Sequence, residues 1–90
     1  MSNEVFHIKV GSRSEIRGVA GSIAYAVRDG KTPVLTTIGA GAVNQGMKAL
    51  AIARRFLEDE GIDLASSPSF VELEVNGEEC TALEFEVLRR

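Results

Sequence analysis

Two short runs of this sequence carry residue types that can hold a phosphate. One is Ser12-Arg13-Ser14, with Arg17 close behind; the other is Gly39-Ala40-Gly41-Ala42-Val43-Asn44-Gln45-Gly46, with Lys48 close behind. Each stands between a strand-like and a helix-like stretch, where backbone N–H groups at a helix start can face an anion. The glycine-rich run fits neither common nucleotide loop: its third glycine falls two residues late for G-x-G-x-x-G, no Gly-Lys-Ser/Thr follows, and no acid stands about 20 residues on at the end of a strand. Gly39 and Gly41 read instead as a tight strand-to-helix turn whose backbone a partner can approach closely. A small anionic metabolite at that turn is the alternative.

Other chemistry is poorly provided for. His7 is the only histidine and Cys80 the only cysteine, and both fall in strand-like stretches, so no nucleophile has a base beside it. Neither a disulfide nor a Cys/His metal cage can be built from them. Glu72 and Glu74 alternate with apolar residues, the pattern of a solvated strand face rather than a cleft. The expectation is no enzyme, no cofactor and no metal.

The chain has 90 residues, 44% hydrophobic and 26% charged, which allows one domain over 1–90 with one core. A chain this short buries only about 60 to 65% of its unfolded surface, so self-association to a homodimer or homotetramer is expected. The start MSNEVFHIKV lacks a basic region followed by an apolar run, and no stretch approaches the roughly 18 apolar residues of a membrane span. A cytoplasmic protein with no membrane partner is expected. The net charge of −3 argues against a uniformly basic nucleic-acid binder, but it is an average over two unlike segments. Through Leu57, eight bases face three acids, a net of +5, while the remainder has ten acids against Arg89 and Arg90, a net of −8.

The elements that position these groups follow from periodicity. Val5 to Val10 alternates as a half-buried strand. A capping box of Ser12 and Glu15 then predicts a helix, with Ile16, Val19, Ala20, Ile23, Ala24 and Val27 on one face, ending at Asp29-Gly30. Val34 to Ile38 reads as a second, more central strand, and Ala42 to about Glu60 as a second helix closed by Gly61. A hairpin follows, Phe70 to Val75 and Glu79 to Leu88 around Asn76-Gly77. A two-residue turn there would pair Leu73 with Cys80 and Phe70 with Leu83, mixing apolar and acidic faces, so a bulge or odd-length loop near residues 76 to 80 is expected.

The resulting fold is α+β: a βαβαββ two-layer sandwich with two helices on one face of a four-stranded mixed sheet. Glu72, Glu74, Glu84 and Glu86 would share the open face with His7 and Lys9. An acidic face without an aromatic row is a poor platform for stacking bases. Both βα loops fall on one rim, gathering Arg13 and Arg17 with Asn44, Gln45 and Lys48, and Arg55 continues the stripe, since Asn44, Lys48 and Arg55 lie within about 40° around a helix axis. Arg13 and Arg17 at a helix start, and Glu58-Asp59-Glu60 at a helix end, oppose the helix dipole, and a phosphate at the rim would turn that cost into binding. The second helix is more apolar than one sheet can cover, with Ile52 on its polar side, which points to a subunit interface. The rival reading is a protein-interaction module that recruits a basic partner through the acidic sheet face.

The run Ile38-Gly39-Ala40-Gly41-Ala42-Val43-Asn44-Gln45, continuing through Lys48-Ala49 and Ala51-Ile52-Ala53-Arg54, and the later Asn76-Gly77-Glu78-Glu79 before Thr81-Ala82, resemble the stage V sporulation protein S family. That family is similar to the Alba-type chromatin and RNA-binding proteins and to the C-terminal domain of translation initiation factor three. The resemblance implies a small oligomeric DNA- or RNA-binding regulator tied to septation, coat assembly and development. Arg13 matches a basic position of the Alba first loop. Ala40 and Ala42 stand where Alba proteins carry arginine, and the hairpin tip is Glu78-Glu79 where theirs is basic. Contact through Arg13, Arg17, Asn44, Gln45, Lys48 and Arg55 is therefore expected to be weak and salt-sensitive.

Overall fold

In the computed structural model, which describes residues 4–90, one sheet carries both helices on one side. The order along the chain is β1 (Val5–Val10), α1 (Ile16–Arg28), β2 (Thr32–Thr37), α2 (Ala40–Leu57), a 3-10 turn (Glu58–Glu60), β3 (Leu64–Val75) and β4 (Glu78–Arg89). Across the sheet the order is β1-β2-β4-β3, with β1 parallel to β2 and the other pairs antiparallel. This is the α+β βαβαββ sandwich read from the sequence, with β2 in the interior of the sheet.

Alternation in β1 turns Ile8 and Val10 inward beside Leu35 of β2, and Phe85 and Val87 of β4 continue the same buried surface. Onto it α1 lays Ala20, Ile23, Ala24 and Val27, and α2 lays Ala49, Leu50, Ala53 and Leu57. The alanines keep both helices close to the sheet and to each other, so there is little room for a larger side chain. Thr37 is the one buried polar core residue among those described, and its hydroxyl donates to the Leu83 carbonyl at 2.9 Å. No helix among the described residues is long and apolar enough to cross a membrane.

The capping box does not form. Ser12 and Arg13 lie in a turn, closed by Ser14 N–H donating to Gly11 O at 3.1 Å and Gly11 N–H donating to Ser14 Oγ at 2.8 Å. The helix begins only at Ile16, and its N-cap, Glu15, makes no side-chain cap. Ser14 serves the turn rather than the helix, leaving the first-turn N–H groups of α1 uncapped by side chains. The strand before the hairpin is also longer than expected, starting at Leu64 and running through Ser66-Ser67-Pro68. A proline is tolerated there because β3 is an edge strand, where a missing N–H breaks no ladder on the outer side.

The hairpin register is the larger correction. Asn76 and Gly77 both take positive φ, 54° and 82°, the signature of a tight type I′ turn, and there is no bulge. Val75 pairs with Glu78, Leu73 with Cys80 and Phe70 with Leu83. The acidic face is consequently split: Glu84 and Glu86 lie on the open side with His7, Lys9, Leu73 and Val75, whereas Glu72 and Glu74 lie on the helix side with Phe70 and Leu83. Both sides of this outer hairpin are open to solvent, so mixing the faces costs little there, and the Asn-Gly turn geometry sets the register.

Candidate nucleic-acid interface

β1 and β2 are parallel neighbours, so the loops leaving their carboxyl ends lie side by side. They touch. A Cβ placed on Gly41 would stand 2.9 Å from the Ser12 Cβ, closer than side-chain atoms pack, and Gly39 turns the chain into α2 with φ of 90°. Only glycine at both positions allows the first turn of α2 to lean on the β1–α1 loop. The Gln45 amide then donates to the Ser14 carbonyl at 3.0 Å, bracing one loop against the other. Gln45, expected from the sequence to contact the ligand, has its Nε2 engaged in positioning the rim.

Neither helix has a side-chain cap at this end, and neither carries an acid in its first turn. Arg13, Arg17 and Asn44 are exposed around these two N-termini, and Lys48 is exposed at mid-helix, about 12 Å along α2 from its start. Arg55 is also exposed, but eleven residues beyond Asn44, about 16 Å farther along the helix axis, and stands away from the rim.

The ion pairs show which cations are already engaged. Arg28 reaches Glu60 at 2.7 Å, Lys31 reaches Asp29 at 3.3 Å, and Arg54 and Arg90 both hold Asp63 at 2.9 Å. Among the described residues, Arg13, Arg17, Lys48 and Arg55 enter no ion pair. The paired groups cluster at the carboxyl ends of the helices. There the Arg28 guanidinium, hydrogen-bonded to Glu60, holds that carboxyl below its usual range, and Arg54, with the Leu64 N–H, does the same for Asp63. The acids at the end of α2 are therefore offset in part by Arg28, while the cations at the helix starts have no such partner.

His7 is exposed on β1, and Cys80 is half-buried with its Sγ facing only the Thr81 carbonyl at 3.9 Å. Ile52 is not a free apolar residue on the polar side of α2: it is half-buried and packed against the core. The apolar surplus sits elsewhere, in a groove of about 630 Å³ between Val43 and Met47 of α2 and Phe70, Thr81 and Leu83 of the hairpin. Phe70 is 79% exposed there. The apolar excess of α2 is legible in the sequence, but its place beside Phe70 is not, because Phe70 reads as an ordinary strand residue and the register decides which way it faces.

Fold and rim together define a small two-layer domain of the Alba type, with a cationic edge built from two touching βα loops. The chain belongs to the Stage V sporulation protein S family, whose profile matches residues 6–90, and with that membership comes a sporulation-related role.

Proposed function

We propose that this domain is a cytoplasmic, non-enzymatic regulator that binds DNA or RNA through the phosphate backbone and acts as a homodimer or higher homo-oligomer in sporulation-linked development. The observation that carries this reading is the contrast in pairing: Arg13 and Arg17 make no ion pair among the described residues, at the end where two helices present uncapped N–H groups, and Lys48, midway along α2, makes none either. A phosphate there meets cations and helix N-termini together. Asn44 adds a hydrogen-bonding side chain that can reach a phosphate or a base edge. The rival that recruits a basic partner through four carboxylates on one sheet face loses its surface, since Glu72 and Glu74 are turned to the other side.

The test is a binding titration against duplex DNA and single-stranded RNA at two salt concentrations. Each phosphate contact contributes a slope of about 0.9 in log K against log salt on duplex DNA, so Arg13→Ala with Lys48→Ala should lower the slope by about 2 and weaken binding at least tenfold at low salt. Unchanged affinity and slope in that double variant would sink the reading.

A further inference from the structure

The two most exposed aromatic rings among the described residues have opposite surroundings. Phe70, 79% exposed, stands on the acidic hairpin, whereas Tyr25, 58% exposed, stands on α1, which carries Arg17 and Arg28 and no acid. Arg28 is held by Glu60, while Arg17 makes no ion pair among the described residues. Arg17, Gly21 and Tyr25 follow at i, i+4 and i+8, one ridge that crosses the outer face of α1 at about 26° to its axis, and all three are exposed. Nothing within the chain accounts for Gly21: a glycine inside a helix weakens it relative to alanine, yet a Cβ placed there would meet nothing within 4 Å. Gly18 differs, since the Glu15 Oε1 lies 2.9 Å from where its Cβ would stand, and Glu15 borders the ridge on that side only. Phe6 of β1 steadies the Tyr25 ring without covering it, the centroids 6.3 Å apart and the planes inclined 61°. The ridge is a free guanidinium, a bare backbone floor and a braced aromatic ring in succession.

We propose that the nucleic acid taken by this domain is single-stranded, with phosphates at Arg13 and Arg17, its backbone crossing Gly21 and one base stacked on Tyr25. This rests on the phosphate reading above and names the form of nucleic acid that the rim receives. Stacking on a side chain needs the flat face of a base, and within a duplex those faces are covered by the neighbouring pairs. From Arg17 to Tyr25 is about 12 Å along the helix, roughly three to four nucleotides at a stacked rise of about 3.4 Å. Every base has such a face, so the contact tolerates any sequence and needs no reading of base edges. The absent side chain at Gly21 lets the strand lie close to the helix between its two anchors. Phe70 offers no equivalent site, because Glu72 and Glu74 share its face of the hairpin and would repel the phosphates on either side of a stacked base.

Tyr25 is the one tyrosine of the chain and there is no tryptophan, so intrinsic fluorescence reads this ring alone. Titration of the full chain with an oligothymidylate of about 12 nucleotides should quench that emission, after correction for the absorbance of the strand. By anisotropy of labelled probes, the strand should bind at least about tenfold more tightly than a duplex of the same length. Phosphate contact alone would favour the duplex, which carries about twice the charge per unit length. Tyr25→Ala should weaken strand binding about tenfold, with duplex affinity and the salt slope unchanged because no charge is lost, and Tyr25→Phe should keep the wild-type affinity. Gly21→Leu should raise Tm, leucine being the better helix former, and still weaken strand binding by filling the floor of the ridge. A glycine with a purely structural role would not move the two readouts in opposite directions. Undiminished strand binding by Tyr25→Ala, a strand bound no more tightly than the duplex, or binding without quenching would each overturn the proposal and leave the phosphate reading to the Arg13 and Lys48 double variant. If the wild type binds neither probe, the phosphate reading falls and the proposal falls with it.

Discussion

The two ends of the helical layer treat charge in opposite ways. At the carboxyl ends of α1 and α2, Arg28 grips Glu60, and Arg54 and Arg90 converge on Asp63, so the cations there have partners within the chain. At the amino ends, Arg13 and Arg17 have none among the described residues and stand near uncapped helix starts, and Lys48, midway along α2, has none either. The helices are the same and the residue types are the same. Distance to an acid makes the difference: the 3-10 turn and the start of β3 place Glu60 and Asp63 beside the carboxyl ends, while the hairpin acids are carried to the other side of the groove. Paired arginines fasten the fold, and unpaired ones remain for a ligand.

Several experiments would break or sharpen this contrast. The largest effect is expected from Gly41→Val, which forces its new side chain onto Ser12 and pries the two loops apart. Overpacking of that kind costs about 1 to 3 kcal/mol, a fall of roughly 4 to 8 °C in Tm per kcal/mol for a domain this size, and nucleic-acid affinity should fall with it. Thermal melts and a binding titration on the same variant check both. If affinity holds while Tm drops, the rim is not the contact surface.

Acid should act on the carboxyl end. Glu60 and Asp63 ionise below the usual carboxylate range in the folded chain because their arginine partners favour the charged form. Their stabilisation is therefore fully present above the unfolded-state pKa, about 4, and is lost as pH falls through the lower folded values. Glu60→Gln with Asp63→Asn should flatten that acid decline in a series of melts from neutral pH downward. A decline of the same steepness in this variant would show that other groups govern it. The smallest effect is expected from Arg28→Gln: these pairs are solvent-exposed, so Tm should drop slightly and nucleic-acid affinity at neutral pH should stay unchanged. An affinity loss matching that of the Arg13 and Lys48 double variant would erase the distinction between the two ends.

Much of this protein is written locally. The alternation from Val5 to Val10 and the 3.6-residue recurrence from Ile16 to Val27 determine their elements because each depends only on neighbours along the chain. The glycines at 39 and 41 announce a tight turn for the same reason. The cap of α1 was less legible, since Ser12 and Ser14 are both plausible capping residues, and the preference of Ser14 for the Gly11 turn depends on how the loop lies against α2.

Charge type and the order of elements were determined by the sequence itself, and they suffice to place Arg13, Arg17, Asn44 and Lys48 around one edge. Tertiary structure alone decided two further things: that Glu60 and Asp63 capture Arg28 and Arg54, and that Gln45 braces the loops. Each depends on groups brought together from distant parts of the chain, whereas the hairpin register follows from the local Asn-Gly turn, against the pattern of its two faces. Local pattern cannot encode which of two similar cations meets an acid; only the folded path of the chain does.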